Sequence, residues 1–159
     1  MFKYDRFNEA SRKAKGQDHC ASQGQVFDLR GLLANGLIHD PAGMPLSAGT
    51  AIASVERKLI YAVDENFAIH VGFDGVRGTL DAVKHETLFH NADVRAAGEL
   101  EVEAGVIIGV NDVSGTYRTA GRLRADPLFA DAVLTALDRI GAPIEPNERA
   151  TLEQRAGRR

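Results

Sequence analysis

The stretch GELEVEAGVIIGV, residues 98–110, decides the fold more than any other part of the chain. Apolar residues alternate with carboxylates along its first half: Leu100 and Val102 against Glu99, Glu101 and Glu103. Because successive side chains of a strand point to opposite faces, this half predicts a half-exposed β-strand. The dipeptide at 104–105 supplies a turn, and the returning run VIIGV is almost wholly apolar, as is typical of a central strand. The stretch therefore predicts an antiparallel hairpin with its second strand in a central position.

A second hairpin is predicted upstream, in RKLIYAVDENFAIHVGFDG, residues 57–75. Apolar side chains recur at Leu59, Tyr61 and Val63, and a second alternating run, FAIHVGF, follows. The tripeptide Asp64-Glu65-Asn66 between them is a turn signal. The two hairpins together predict one small antiparallel sheet.

Helices are predicted at both ends of the chain. Residues 1–25 form a polar N-terminal extension, helical over Tyr4–Lys15, and 27–37 is compatible with a short helix. Residues 39–50, rich in proline and glycine, predict a long loop. Asp126 with Pro127 starts a helix that Gly141 ends, and a short polar helix follows before a frayed end. The fold class is therefore α+β, with a single domain over 26–150 and a polar tail over 151–159.

Composition places the chain among ordinary soluble globular proteins. Its 159 residues are 44% hydrophobic and 26% charged, and its apolar runs are too short to span a bilayer, so no membrane contact is expected. A net charge of −3 argues against bulk electrostatic binding of nucleic acid. The first residues have no apolar core or cleavage site of a signal peptide, so we expect a cytoplasmic protein as synthesised. Cys20, the one cysteine, is interpreted as an ordinary free thiol.

No metal site is expected from the histidines. His85 and His90 are five residues apart, and positions i and i+5 of a helix do not share a face as i and i+4 do. The glycine-containing turns also match no phosphate-binding loop, and no serine lies in a nucleophile elbow.

Glu99 and Glu101 are the strongest candidates for chemistry. Paired carboxylates can stabilise the oxocarbenium-like transition state of glycosidic-bond cleavage. Their alternation with apolar residues is that of a half-exposed strand, where carboxylates discourage edge pairing, and composition and spacing alone favour this interpretation. Polar aromatic residues on strands, such as Tyr61, His70 and Tyr117, are usually packing residues with a satisfied polar tip, but they can also stack on a base or a nicotinamide ring.

The run from Lys58 to Tyr117 resembles a module with the pattern Y-V-D-x-x-G-x-I, then H-[ST], then G-x-x-V-x-A-A-G-E-[IL]-x-V-x-x-G-x-[IL], then SGHY or SGTF. The module is found at the C-terminus of bacterial polymorphic (Rhs-type) toxins and, in related form, in plant IQ-motif calmodulin-binding proteins. The matching positions are 61–64, 69–70, 84–85, 94, 96–100, 105 and 114–117. The sequence departs from the pattern at Glu86, where a hydroxyl residue is usual, and at Arg118, where proline often follows.

The resemblance implies a bacterial toxin or effector domain, some members of which have an ADP-ribosyltransferase-like fold. Such a protein would use NAD as co-substrate and transfer ADP-ribose to a protein or RNA target. It would be neutralised by an immunity protein and delivered by a specialised secretion system. Its implied site residues are as follows: Tyr61, His85, Ser114 and Tyr117 for the cofactor, and His85, Glu99 and Glu101 for catalysis. The alternative is a non-catalytic protein-binding, immunity or adaptor module of the same fold.

Overall fold

The structure, a computed structural model, describes residues 1–3, 26–28, 37–39, 45–47, 59–73, 85–89, 92–103 and 106–158. These residues contain seven strands: β1 (Val26–Asp28), β2 (Leu37–His39), β3 (Pro45–Ser47), β4 (Leu59–Val63), β5 (Ile69–Phe73), β6 (Ala96–Glu103) and β7 (Val106–Val110). They also contain four helices: α1 (His85–Leu88), α2 (Arg122–Ala125), α3 (Pro127–Arg139) and α4 (Pro146–Arg155).

The main sheet has the strand order β1-β5-β4-β6-β7, and every neighbouring pair in it is antiparallel. Strands β4 and β5 form the first predicted hairpin, and β6 and β7 form the second. The predicted α+β class is confirmed, with helices α3 and α4 on the C-terminal side. The helix predicted over Tyr4–Lys15 lies outside the described residues.

Three predictions that bear on strand positions are wrong: the helix over 27–37, the loop over 39–50 and the central position of the strand that follows the 104–105 turn. Residues 27–37 were expected to be helical, but Phe27 lies in β1 and Leu37 lies in β2. The loop expected over 39–50 contains β3, which pairs with β2 in a separate two-stranded sheet. Short apolar runs do not distinguish strand from helix by periodicity, and here pairing with a distant strand decides. β1, for example, pairs with β5, more than forty positions along the chain.

The third correction concerns β7, which is an edge strand of the described sheet and not a central one. Its outer side is covered by the connection between α3 and α4. Ile107 donates its backbone N–H to Pro143 O at 2.9 Å and accepts from Glu145 N at 2.8 Å. The Val110 N–H donates to Glu148 Oε1 at 2.9 Å. The strand is apolar because this segment and helix α4 cover it, which also protects the edge from pairing with another chain.

The sheet separates two apolar cores. The larger core is formed by one face of the sheet and by helices α3 and α4: it includes Leu59, Tyr61, Val63, Ile69, Val71, Leu100, Ile107, Phe129, Val133, Leu134, Leu137 and Leu152. The smaller core lies on the opposite face, under α1: it contains Ile60, Ala62, Leu88, Val94, Ala97 and Tyr117. Strand β4 is consequently buried on both faces over its whole length.

Helix α3 follows its sequence signals closely. The Asp126 side chain accepts a hydrogen bond from the Leu128 N–H at 3.0 Å, and Pro127 occupies the first turn, where its missing N–H costs nothing. The helix ends before Gly141, whose φ of 64° a residue with a side chain would adopt only with strain.

Helix α4, predicted as short and polar, is confirmed and extends through Arg155. Its Leu152 is completely buried in the larger core. Beyond the helix, the Arg158 side chain contacts Asp131, Asp138 and Thr135 of α3. Residue 150, the predicted end of the domain, lies within α4.

Candidate functional site

The implied site residues are divided between the two faces of the sheet. Tyr61 points into the larger core, whereas Tyr117 belongs to the smaller one. Glu99 and Glu101 alternate with Leu100 and therefore lie on the face opposite Tyr61. Tyr61 and Glu99 are nevertheless connected, because the Tyr61 hydroxyl and the Glu99 carboxylate both bond to Asn111.

Gly98 is the point where the chain leaving β7 crosses over β6. A Cβ at this position would overlap the Asn111 carbonyl oxygen and lie 2.8 Å from the Asn111 carbonyl carbon. Gly98 is also the cross-strand partner of Tyr61. The absence of a side chain lets the Asn111 carbonyl reach the Tyr61 hydroxyl, which donates a hydrogen bond to it at 2.9 Å.

Tyr61 is held in its neutral form by this environment. Burial raises its pKa well above the usual value of 10.0, and the nearby Asp112 carboxylate raises it further. A buried phenol that donates to a carbonyl is a structural hydrogen bond, and its proton is not available for chemistry near neutral pH.

Asn111 fastens Glu99 through its side chain and its backbone. The Glu99 N–H donates to Asn111 Oδ1 at 2.9 Å, and Asn111 Nδ2 donates to Glu99 Oε1 at 2.9 Å. The Asn111 N–H in turn donates to the Glu99 carbonyl at 3.0 Å. The Glu99 carboxylate is therefore engaged in fixing the exit of β7.

Glu101 differs from Glu99 in its exposure. It pairs across the hairpin with Gly109, and its carboxylate lies over that glycine, where a Cβ would come within 3.2 Å of Oε2. The residue is solvent-exposed, on the same strand face as Glu99. Of the two carboxylates implied by the resemblance, Glu101 is the more accessible to a ligand.

His85 joins helix α1 to the sheet. Its Nε2 lies 2.8 Å from the Gly98 carbonyl oxygen, and because a carbonyl only accepts, Nε2 carries the hydrogen. The residue is buried. His70, from β5, makes a similar connection, with Nδ1 2.9 Å from the Leu88 carbonyl and its ring stacked on Phe89 at 4.1 Å. Both histidines thus hold α1 and the residue after it against the sheet.

The turn containing Ser114 and Tyr117 is closed by internal hydrogen bonds. Ser114 Oγ accepts from the Tyr117 N–H at 3.3 Å, and the Tyr117 hydroxyl donates to the Ala92 carbonyl at 2.8 Å. The buried Thr119 Oγ1 lies within hydrogen-bond distance of two carbonyl oxygens, those of Asp112 at 2.7 Å and Ala97 at 3.0 Å. These contacts tie the turn to β6.

The residues that sequence reasoning missed are Gly98, Asn111 and Thr119. Gly98 lies on β6 and Asn111 directly follows β7, so their contact becomes visible only when the register of the two strands is known. The available signal was Asn111-Asp112, which directly follows an apolar strand, where asparagine and aspartate side chains commonly bond neighbouring backbone groups. Asn111 Oδ1 does this by accepting from the Val113 N–H at 3.0 Å.

Phe67 is a further feature that the sequence did not reveal. It has a φ of 62° at the turn between β4 and β5, a conformation that bulky residues rarely adopt. Two arginines, Arg95 and Arg139, lie against its ring.

In the described part of the chain, no group of three histidine, cysteine, aspartate or glutamate residues is arranged to hold a metal ion. His90 and Cys20 lie outside the described residues. None of the described helices is both long and apolar enough to cross a membrane.

Comparisons with protein-family models, with curated proteins and with solved structures find no match to this chain. The resemblance to polymorphic-toxin modules therefore stays a prediction that rests on the quoted residues. Three of those residues, Tyr61, His85 and Tyr117, bond to backbone carbonyls of their own chain.

Proposed function

We propose that this protein is a non-catalytic protein-binding or adaptor module, in which the residues of the effector-like pattern hold the fold. The proposal rests on the hydrogen bonds that two tyrosine hydroxyls donate to backbone carbonyls. Tyr61 donates to the Asn111 carbonyl, and Tyr117 donates to the Ala92 carbonyl. Both rings are buried, in cores on opposite faces of the sheet.

A cofactor that used these residues would have to break structural hydrogen bonds. Leaving one buried carbonyl without its donor costs about 1–3 kcal/mol. Tyr61, His85 and Tyr117 each satisfy a different backbone carbonyl. Of these acceptors the Gly98 carbonyl is buried, so engaging His85 would leave it without its donor, and engaging either tyrosine would uncover a buried ring. Both costs support a structural role for the pattern.

A second candidate function is the transfer of ADP-ribose from NAD to a macromolecular target. The observation that favours it is the exposure of Glu101 on the strand face that Glu99 also occupies. In such a reaction the nicotinamide–ribose bond breaks, nicotinamide leaves, and a carboxylate stabilises the ribosyl cation that a nucleophile of the target attacks. Glu101 would take that role, because it is the more exposed of the two carboxylates.

The two functions are separated by adding NAD to the purified protein. For the binding module we expect no change in melting temperature and no release of nicotinamide. An NAD site would stabilise the protein by about 2.7 kcal/mol at a hundredfold excess over the dissociation constant. For a chain of this length, that corresponds to a rise of roughly 5–11 °C.

The variant to compare is Glu101→Gln, with Glu103→Gln as its matched control. Glu103 is an exposed carboxylate on the same strand. Nicotinamide release by the wild-type protein that is lost in Glu101→Gln and kept in Glu103→Gln would overturn the binding-module proposal. Growth of bacteria expressing each of the three proteins provides the same comparison in cells, because only the enzymatic function predicts arrest that depends on Glu101.

A further inference from the structure

The turn between β4 and β5 is built to hold an aromatic ring in a strained position. Asp64 Oδ1 accepts from the N–H groups of Asn66 at 2.9 Å and Ala68 at 2.8 Å, and the Phe67 N–H donates to the Asp64 carbonyl at 3.1 Å. Phe67 lies at the centre with a φ of 62°. Such a conformation costs on the order of 1–3 kcal/mol, and residues of this kind concentrate at functional sites.

Two guanidinium groups converge on this ring from different parts of the fold. Arg95 is the residue immediately before β6, and its Cζ lies 4.3 Å from the ring centroid. Arg139 is the last residue of α3, and its Cζ lies 5.0 Å from the same centroid. The separation of the two Cζ atoms therefore cannot exceed the sum of these two distances.

Each arginine is also positioned by one backbone carbonyl of the turn. Arg95 Nε donates to the Glu65 carbonyl at 2.9 Å, and Arg139 Nη1 donates to the Asn66 carbonyl at 2.6 Å. These bonds use one donor of each guanidinium group, which has several more. Side chains fixed in this way lose little freedom when they bind a ligand.

Neither Arg95 nor Arg139 forms an ion pair with a carboxylate of the described residues. By contrast, Arg149 of α4 and Arg158, which follows α4, both form ion pairs with Asp138 of α3. Asp64 uses its carboxylate within the turn, and Glu65 contributes its carbonyl to Arg95. The two guanidinium groups thus lie against the turn without a direct ion pair to a carboxylate of the described residues.

We infer that the Arg95–Phe67–Arg139 cluster binds a phosphate group. Guanidinium groups bind phosphate through paired N–H donors, and a phosphate dianion matches two of them in charge. Because Arg139 is exposed and Arg95 half-exposed, the ligand reaches the cluster from solvent. The group is either a free phosphate or the phosphoryl group of a modified partner chain. This inference is independent of the proposed function, since it involves none of the residues tested there.

The cluster is tested by titrating the full chain with inorganic phosphate against chloride at constant ionic strength, followed by backbone amide NMR. We expect saturable shifts concentrated at residues 64–68 and 95. Arg95→Gln and Arg139→Gln should each raise the dissociation constant for phosphate at least about tenfold, because each removes a charged hydrogen-bond donor. Arg149→Gln is the matched control and should bind phosphate as the wild type does.

A second titration, with a short peptide carrying one phosphoserine and with its unmodified form, distinguishes the two sources. Tighter binding of the phosphopeptide than of phosphate identifies a modified partner chain, and equal binding identifies a free phosphate. Arg95→Lys and Arg139→Lys keep the charge and serve if a glutamine variant does not fold; we expect them to bind with intermediate affinity. The inference is overturned if the wild type shows no saturable shifts with either ligand, or if the glutamine or lysine variants titrate as the wild type does.

Discussion

Gly98→Ala should be among the most destabilising single-methyl additions in this chain. The new Cβ would overlap the carbonyl oxygen of Asn111 and lie 3.0 Å from the Cα of Asp112. These are backbone atoms, so no rotamer change relieves the overlap, and residues 111–112 must move away from β6. That movement breaks the bond from the Tyr61 hydroxyl and disturbs the bonds between Asn111 and Glu99.

The magnitude follows from these two effects. Overpacking in a well-packed region costs about 1–3 kcal/mol, and a buried polar group left without its partner costs about 1–3 kcal/mol more. We therefore expect the free energy of unfolding to fall by roughly 2–6 kcal/mol. For a chain of this size the melting temperature should fall by about 4–24 °C.

The assay is urea unfolding followed by circular dichroism, with Gly115→Ala as the matched control. A Cβ at Gly115 would meet nothing within 4 Å, and its φ lies outside the left-handed region. The control should stay within about 0.5 kcal/mol of the wild type. If the two alanine variants unfold at the same urea concentration, the close crossing of residues 111–112 over Gly98 is wrong.

Three further predictions test other parts of the structure. Because the pKa of Tyr61 is raised in the folded state, its contribution to stability is complete below about pH 10 and is lost as pH rises beyond that value; urea midpoints measured from pH 8 to 11.5 should fall more for the wild type than for Tyr61→Phe. Asp126→Ala removes the cap on the Leu128 N–H and should cost about 0.5–2 kcal/mol by urea unfolding, whereas an unchanged midpoint would contradict the cap. Leu152→Ala should cost about 2–5 kcal/mol in the same assay, since this side chain is fully buried; a tail without packing contacts would show no change.

The features that the sequence predicted correctly are those set by neighbouring residues. Asp126, Pro127 and Gly141 define helix α3 through local capping and backbone preferences, and the Asp64 turn defines the first hairpin in the same way. The alternation of Leu100 with the glutamates beside it predicted which face of β6 is buried, because period-two patterning depends only on adjacent positions.

The features that the sequence did not predict depend on residues far apart in the chain. The position of β7 at the edge depends on Pro143 and Glu145, which cover it from the connection between two helices. The strand at Phe27 depends on pairing with β5. At the candidate site, the role of Gly98 depends on Asn111, and no local pattern reports a backbone crossing of this kind.

Glu99 and Glu101 occupy different places in the fold, so their glutamine variants should be interpreted differently in a functional experiment. Glu99→Gln retains an oxygen that can accept from Asn111 Nδ2, but its new amide group introduces donors beside that amide, so its phenotype combines stability with chemistry. Glu101 lies over Gly109 at the surface, and its conversion to glutamine changes charge with little expected effect on packing. A loss of function in Glu99→Gln therefore indicates a weakened fold only where the melting temperature falls with it. A loss in Glu101→Gln, at unchanged melting temperature, indicates that the carboxylate itself contacts a ligand.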